Sequence, residues 1–174
     1  MIDKLHEILR LNKPLYNIIK QASCLGIDDY YIGAGCVAQT VWNYQLGLDL
    51  AYGIEDVDFV YFSDADLEVE LSSDIFKIDI VNQAKVHLWY KDYFGYDISP
   101  YKSVEEAIAT WPATATAVGV RLEGDDLKVC APFGLDDLFE LKVRANKAII
   151  SEDVYLQKVK KWSSKWKGLT IIPW

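Results

Sequence analysis

Cysteine is scarce in this sequence, and its few positions lack the spacing of a disulfide framework or of a metal site. The three residues, Cys24, Cys36 and Cys130, are odd in number and far apart. The sequence also lacks a signal-peptide pattern and any apolar run long enough to cross a bilayer. These absences predict a cytoplasmic protein with reduced thiols and no membrane partner.

Basic residues are fewer than acidic residues in this sequence. The chain has 18 lysine and arginine residues against 26 aspartate and glutamate residues, which gives a formal net charge of −8. This balance disfavours a nucleic-acid backbone as the partner, because such binding depends on many basic residues that replace counterions. It does not exclude a nucleotide, which needs only a local basic group and a metal ion.

Repeats, low-complexity tracts and linkers are also absent, so we predict one domain over residues 1–174. The 51% hydrophobic content suits one substantial core. Two N-terminal helices should meet near Asn12-Lys13-Pro14, because proline fits the first turn of a helix. The rest of the pattern predicts a strand–helix–strand–helix–strand series from Tyr30 to Val81 within a sheet core of about 30–150, a helix from Asn82 to Trp89, a hairpin turn at Glu123–Asp126, and a C-terminal helix from about Asp153 to Trp166 followed by a tail.

Two acids stand on one predicted strand, Ile54-Glu55-Asp56-Val57-Asp58-Phe59-Val60-Tyr61-Phe62. Because strand side chains alternate faces, Asp56 and Asp58 project from one side, roughly 7 Å apart, and the apolar residues between them face the core. Two carboxylates this close are costly to bury unless a cation lies between them. Mg²⁺ is the natural counter-charge, since it binds carboxylate oxygens and shares them with phosphates. A turn followed by a solvent-facing aspartate explains an isolated Asp-x-Asp as well.

A glycine turn precedes the acidic strand. The sequence from Tyr30 to Asn43 predicts a short strand, the turn Gly33-Ala34-Gly35-Cys36, and a helix. Bare backbone N–H groups and the positive end of a helix dipole suit phosphate. The turn matches neither the Gly-x-Gly-x-x-Gly fingerprint nor the P-loop. A tight turn needed only for packing is the alternative.

A third acid lies on the next predicted strand, Ile75 to Val81, where Asp79 shares a face with Lys77 and Val81. If this strand pairs beside the first, Asp79 joins the same acidic cluster; otherwise it is an exposed edge residue. Asn82 and Gln83 follow at the rim of the sheet, where loops often carry function.

Candidate cations for a triphosphate are spread along the chain, at Lys85, Arg121, Lys142, Arg144 and Lys147. Each of them alone is more typical of an ordinary surface charge. The basic face of the C-terminal helix is expected to be solvated. The aromatic residues are expected to lie mainly in the core, with base stacking as the less favoured role.

This arrangement resembles the nucleotidyltransferase superfamily to which DNA polymerase β and the aminoglycoside nucleotidyltransferases belong. In more detail it resembles a bacterial family of small nucleotidyltransferase-like proteins. The resemblance spans nearly the whole chain, in segments far more specific than Asp-x-Asp: Gly35 to Val37, Thr40 to Asn43, Asp56 to Asp58, Asp79 to Tyr90, Trp111 to Arg121, Ala131 to Phe139 and Leu169 to Trp174. The chain departs from the usual pattern at Gly35-Cys36, where the superfamily has Gly-Gly or Gly-Ser, and at Lys85, where arginine is expected.

The resemblance implies an α/β (α+β) fold, a mixed sheet flanked by helices. It also implies transfer of a nucleoside monophosphate from an NTP, such as ATP, with two Mg²⁺ ions or with Mn²⁺. Asp56, Asp58 and Asp79 would be the catalytic residues and metal ligands. The expected nucleotide-binding residues are Gly33, Ala34, Gly35, Cys36, Asn82, Gln83 and Lys85. The acceptor would be a hydroxyl group of a small molecule or a protein.

The competing hypothesis is a non-catalytic nucleotide-binding or regulatory interaction protein with the same fold. The three acids weigh against it, because a protein without catalysis has no electrostatic reason to keep a repulsive cluster. A polymerase-like enzyme acting on nucleic acid is disfavoured by the net acidity.

Overall fold

The computed structural model describes all residues from Met1 to Trp174. Its helices are α1 (Ile2–Leu11), α2 (Lys13–Ser23), α3 (Gly35–Leu46), α4 (Tyr90–Phe94), α5 (Val104–Ile108), α6 (Asp136–Phe139) and α7 (Glu152–Lys165). Its strands are β1 (Tyr30–Gly33), β2 (Asp56–Tyr61), β3 (Lys77–Asn82), β4 (Gly119–Glu123), β5 (Asp126–Cys130), β6 (Lys142–Val143) and β7 (Thr170–Ile171). Two 3₁₀ helices cover Gln83–Leu88 and Thr114–Thr116. None of the helices combines the length and apolar character needed to cross a membrane.

Five strands form one mixed sheet in the order β3-β2-β1-β4-β5. Strands β2 and β3 run parallel, and the other neighbouring pairs are antiparallel. The predicted fold class is confirmed, as is the prediction that the strands near Tyr30, Val57 and Phe76 share a sheet. Strands β6 and β7 form a separate parallel pair.

The predicted helix between β2 and β3 is wrong, because residues 62–76 contain no helix. Apolar side chains recur there at every second position, at Leu67, Val69 and Leu71, which is the period of extended chain. Val69 and Leu71 pack against the main core. The segment is long enough to serve as the crossover that two parallel strands require.

The main core lies between one face of the sheet and the helices α1, α2 and α3. Val57, Phe59 and Tyr61 of β2 point into it and contact a cluster that includes Val37 and Val41 of α3. All five side chains are buried, and burying each stabilises the fold by about 1.5–3 kcal/mol.

A smaller core covers part of the opposite face of the sheet, where Tyr31 and Val60 pack against Val104 and Ile108 of α5. Gly119 permits this close approach, because a Cβ atom there would lie 2.7 Å from Ile108 Cδ1 and 2.9 Å from Tyr31 Cβ. The first residues of β2 on this face remain exposed or half-buried.

Helix α7 is fixed at both ends. The rings of Trp162 and Trp166 meet the Trp42 ring of α3 edge-on, at 5.7 and 5.5 Å between centroids. The Trp166 Nε1–H group donates to Asn43 Oδ1 at 2.6 Å. The Tyr155 hydroxyl contacts backbone carbonyls of β6 and of the chain after β7. The face of α7 between these anchors therefore has a fixed orientation.

Candidate active site

Three carboxylates lie at one end of the sheet on neighbouring strands. In the parallel pair of β2 and β3, Asp58 stands opposite Asp79, and Asp56 precedes Asp58 by two residues. Paired residues of adjacent strands point to the same face, and the strands are roughly 4.8 Å apart. On the other side of β2, Gly33 stands opposite Asp58. The fold thus brings the three acids and the glycine turn together.

Electrostatic repulsion is concentrated on Asp58. Burial raises the pKa of its carboxyl to about 7, and the charges of Asp56 and Asp79 act in the same direction. Lys158 and Lys77 lower this pKa, but by less. The Asp58 carboxyl therefore holds its proton to a higher pH than an ordinary aspartate and would ionise more readily beside a cation.

The side chains are not gathered into a metal-binding group in this structure. No set of three or more histidine, cysteine, aspartate and glutamate side chains converges closely enough to hold an ion. The Asp79 carboxylate lies 2.6 Å from the ammonium of Lys77. The donor chemistry nevertheless suits a hard divalent cation, because all three groups are carboxylates and Asp58 is crowded by negative charge.

The glycine turn holds a residue in an unfavourable backbone conformation. Ala34 has φ 59° and ψ −129°, which costs about 1–3 kcal/mol for a residue with a side chain. Its N–H group donates to the Val118 carbonyl at 3.0 Å. Helix α3 begins at the next residue, Gly35, without a side-chain cap. The N–H groups of its first turn therefore lack the usual partner and can serve an anion.

Gly33 and Cys36, the other two residues of the turn, fix its position against the neighbouring chain. A Cβ atom at Gly33 would lie 2.5 Å from the Val118 carbonyl oxygen and 2.9 Å from the Trp111 ring, so glycine is required there. Cys36 is buried, and its thiol contacts the Gly33 carbonyl at 3.1 Å. Ala34 and Gly35, by contrast, lie at the surface of a cavity.

This cavity has a volume of about 440 Å³, within the range of small-molecule sites. Its lining includes Ala34 and Gly35 of the glycine turn and the side chains of Gln39, Asp56, Asp58, Lys158 and Lys161. The rest of its lining is mainly apolar and includes Val81, Trp89, Tyr90, Phe94, Tyr101 and Trp111. Asp79 does not line the cavity, although its strand partner Asp58 does.

Residues 20–171 match the family model described as "Nucleotidyltransferase". The chain belongs to this nucleotidyltransferase family. It is also similar to a solved NMR structure described as revealing "a CCA-adding enzyme head domain", with 22% identity and a TM-score of 0.78. That match covers 99% of this chain and 96% of the other. At this identity the likeness shows the fold. No curated protein matches the chain at a significant level.

The candidate site contains two lysines of the basic face of α7, which was expected to be solvated. Lys158 and Lys161 of α7 line the cavity beside the acids of β2. Lys161 pairs with Glu55 at 2.8 Å, whereas Lys158 forms no ion pair. Burial lowers the pKa of Lys158, and the charge of Asp58 opposes that effect. The predicted solvation is wrong for Lys158.

A signal for Lys158 was present in the sequence. Tyr155 and Trp162 lie three residues before it and four after it, so all three share one face of α7. Both aromatic residues are buried. A lysine inside an apolar stripe is a better site candidate than one on the charged face.

The polar residues that follow β3 differ in whether they reach the cavity. Gln83 is 6% exposed and lines the cavity. Asn82 is also buried, but its side chain binds the backbone of Ser63 and caps the 3₁₀ helix at Ala84. Lys85 pairs with Asp66 at 2.9 Å. Neither Asn82 nor Lys85 lines the cavity.

The remaining cations considered for a triphosphate lie outside the cavity. Arg121, Lys142 and Arg144 form ion pairs with nearby acids, and Lys147 lies over the Trp174 ring. Their positions agree with the alternative interpretation of these residues as ordinary surface charges. The cations that line the cavity are instead Lys158 and Lys161 of α7.

Proposed function

We propose that this nucleotidyltransferase transfers a nucleoside monophosphate from an NTP to a hydroxyl acceptor in a metal-dependent reaction. The observation that carries the proposal is one cavity that joins an uncapped helix N-terminus, the carboxylates of Asp56 and Asp58, and the ammonium of Lys158. This chemistry needs groups that can bind phosphate and groups that can bind a metal ion, and candidates for both line this cavity.

The triphosphate would bind in this cavity, beside the glycine turn and the acids of β2. The first-turn N–H groups of α3, beginning at Gly35, would bind the β- and γ-phosphates, with the helix dipole favouring their charge. Lys158 is half-buried and has no carboxylate partner, so its ammonium is suited to a phosphate oxygen. Gly33 and Cys36 would not contact the phosphates, but would maintain the backbone conformation of the turn.

Asp56, Asp58 and Asp79 would hold two Mg²⁺ ions, or Mn²⁺ ions. When bound, these ions would stabilise negative charge on the attacking and leaving oxygens. Asp58 would release the proton that it partly holds near pH 7. Asp79 would exchange its contact with Lys77 for the metal and accept the proton of the acceptor hydroxyl. A bond forms between the acceptor oxygen and the α-phosphorus, the bond to the β-phosphate oxygen breaks, and pyrophosphate leaves.

A non-catalytic nucleotide-binding protein is the alternative. Both functions predict that Mn²⁺ with an NTP raises the melting temperature, because a ligand that binds only the native state stabilises it. The test is therefore incubation with each α-³²P-labelled NTP, Mg²⁺ or Mn²⁺, and a cell extract. Label transferred to an acceptor supports the enzyme, whereas NTP binding without any transfer supports the alternative.

The Asp79→Ala variant separates the two functions further. Since the triphosphate would be held mainly by α3, Asp56 and Asp58, NTP affinity should stay within about tenfold, or 1.4 kcal/mol. Transfer should be almost abolished. Asp64→Ala is the matched control, because Asp64 is exposed and forms no ion pair. Transfer that survives Asp79→Ala would contradict the assigned role.

A further inference from the structure

Helix α3 contributes one polar side chain to the cavity, that of Gln39. This residue is half-buried and lines the cavity together with Ala34 and Gly35 of the glycine turn. Long side chains on a helix point back toward its N-terminus, so a residue four positions after Gly35 reaches over the first turn. Gln39 is therefore placed beside the uncapped N–H groups of α3.

The amide of Gln39 lies directly against Gly35. A Cβ atom on Gly35 would be 2.9 Å from Gln39 Nε2, which is closer than side chains normally approach. The lack of a side chain at Gly35 therefore leaves the space that the amide occupies. Nε2, which carries the two N–H donors of the amide, is the atom that faces the turn.

This amide has no partner within the protein. Its neighbours on α3, Thr40, Asn43 and Gln45, each donate to a backbone carbonyl. The Gln39 amide, by contrast, forms no hydrogen bond with the protein and does not cap the helix. Because polar side chains withdrawn from solvent are usually hydrogen-bonded, free donors beside the turn are available to a ligand.

The charge of the cavity favours a neutral donor at this position. The charged residues that line it are Asp56, Asp58, Lys158 and Lys161. A further cation in the same cavity would compete with a metal ion for the carboxylates, whereas an amide can donate to a phosphate oxygen without forming an ion pair with an acid. A hydrogen bond to a charged acceptor is also stronger than one between neutral groups.

We propose that Gln39 is a further ligand of the NTP and donates from Nε2 to an oxygen of its triphosphate. This inference rests on the proposed nucleotidyl transfer, in which the first turn of α3 binds the β- and γ-phosphates. Gln39 adds a side-chain donor to those backbone N–H groups. Since its N–H groups face the turn, it contacts phosphate and not the metal ion.

The test compares the Mn²⁺ complexes of ATP and of inorganic tripolyphosphate, which has the phosphates without the nucleoside, by isothermal titration. Gln39→Met keeps the length of the side chain but removes both donors, so it should weaken both complexes by about tenfold. Affinity for Mn²⁺ alone should stay within about twofold. A loss confined to ATP would place Gln39 at the nucleoside and overturn the proposal, as would unchanged affinity for both complexes.

Two other glutamines are matched controls for the same substitution. Gln45→Met removes an exposed amide at the far end of α3, which binds a backbone carbonyl outside the cavity. Gln83→Met removes an amide that lines the cavity four residues after Asp79, roughly 13 Å along the strand direction from the level of the glycine turn. Both should leave tripolyphosphate affinity within about twofold. A loss in either control equal to that in Gln39→Met would overturn the proposal.

The same titrations keep this inference separate from the proposed function. Wild-type protein that binds neither Mn²⁺ complex would overturn the proposed function. Wild-type protein that binds both, with Gln39→Met binding them equally well, would overturn only the role of Gln39. Thermal unfolding in a chelator shows whether each variant keeps the fold. Gln39→Leu, a second variant without donors, should reproduce the losses of Gln39→Met, and wild-type affinity in Gln39→Leu would overturn the proposal.

Discussion

The two faces of β2 differ in almost every physical respect, although alternate residues of one short strand form them. Val57 and Phe59 are fully buried in the main core. Asp56 and Asp58, on the opposite face, crowd negative charge at the edge of a cavity. The apolar face stabilises the fold, whereas the acidic face lowers stability and supplies the carboxylates of the candidate site. Substitutions on the two faces should therefore change different properties.

Phe59→Ala tests the buried face and should have the largest effect on stability. Its free energy of unfolding should fall by about 3–5 kcal/mol, because a fully buried phenylalanine leaves a cavity behind. Urea unfolding measures this loss. Since the ring points away from the cavity, MnATP affinity per folded molecule should not change. A comparable loss of stability in Tyr93→Ala, an exposed aromatic control, would contradict the contrast.

Asp58→Asn tests the acidic face through pH. The native pKa of about 7 lies above the unfolded value of about 3.9, so the native state binds more protons between these values. Stability of the metal-free protein should therefore fall as pH rises from about 4 to 7 and then level off.

Asparagine removes this dependence, so Asp58→Asn should be more stable than the wild type by about 2 kcal/mol above pH 7, but not near pH 4. Thermal unfolding in a chelator across this range measures the difference. Asp64→Asn, an exposed control, should follow the wild-type curve. If the stability of Asp58→Asn and of the wild type changed with pH in parallel, ionised Asp58 would not destabilise the native state.

Local patterns were enough to predict the contrast between the faces. Alternation along β2 separates the acids from the apolar residues, and the same alternation on β3 places Asp79 beside them once the strands pair. The glycine turn was equally visible, because Gly33 and Gly35 interrupt an apolar strand and helix. These features depend on residues close together in sequence.

The contribution of α7 could not be predicted in the same way. Lys158 reaches the cavity because Trp162 and Trp166 dock on Trp42, which is more than 100 residues earlier in the chain. Asn82 is the converse case, since its position after β3 suggested a contact at the rim of the sheet, while its amide binds the chain after β2. Long-range packing decides both cases, and periodicity does not report it.

Lys158→Met tests the cation of α7 that lines the cavity with the acids of β2. Methionine retains an apolar stem beside Trp162 but removes the charge, so the fold should be kept while MnATP affinity falls by about tenfold, or 1.4 kcal/mol. Isothermal titration measures this change. Lys160→Met, two residues along the same helix and exposed, should bind MnATP like the wild type. Equal affinities for all three proteins would exclude Lys158 as a phosphate ligand.

Ala34→Gly has the smallest expected effect and tests where the strain of the site lies. Glycine should relieve the positive φ of 59°, a gain of about 1–3 kcal/mol, while adding unfolded-state entropy that costs about 0.4–1 kcal/mol. The net gain in unfolding free energy should be about 1 kcal/mol. Ala38→Gly, inside helix α3, should have the opposite sign and lose a similar amount.

MnATP affinity should stay within about twofold in Ala34→Gly, because the contact with Val118 and the packing of Gly33 against Trp111 hold the turn in place. A destabilised Ala34→Gly protein would mean that the turn needs the alanine side chain, and that strain at this turn is not a cost of building the site.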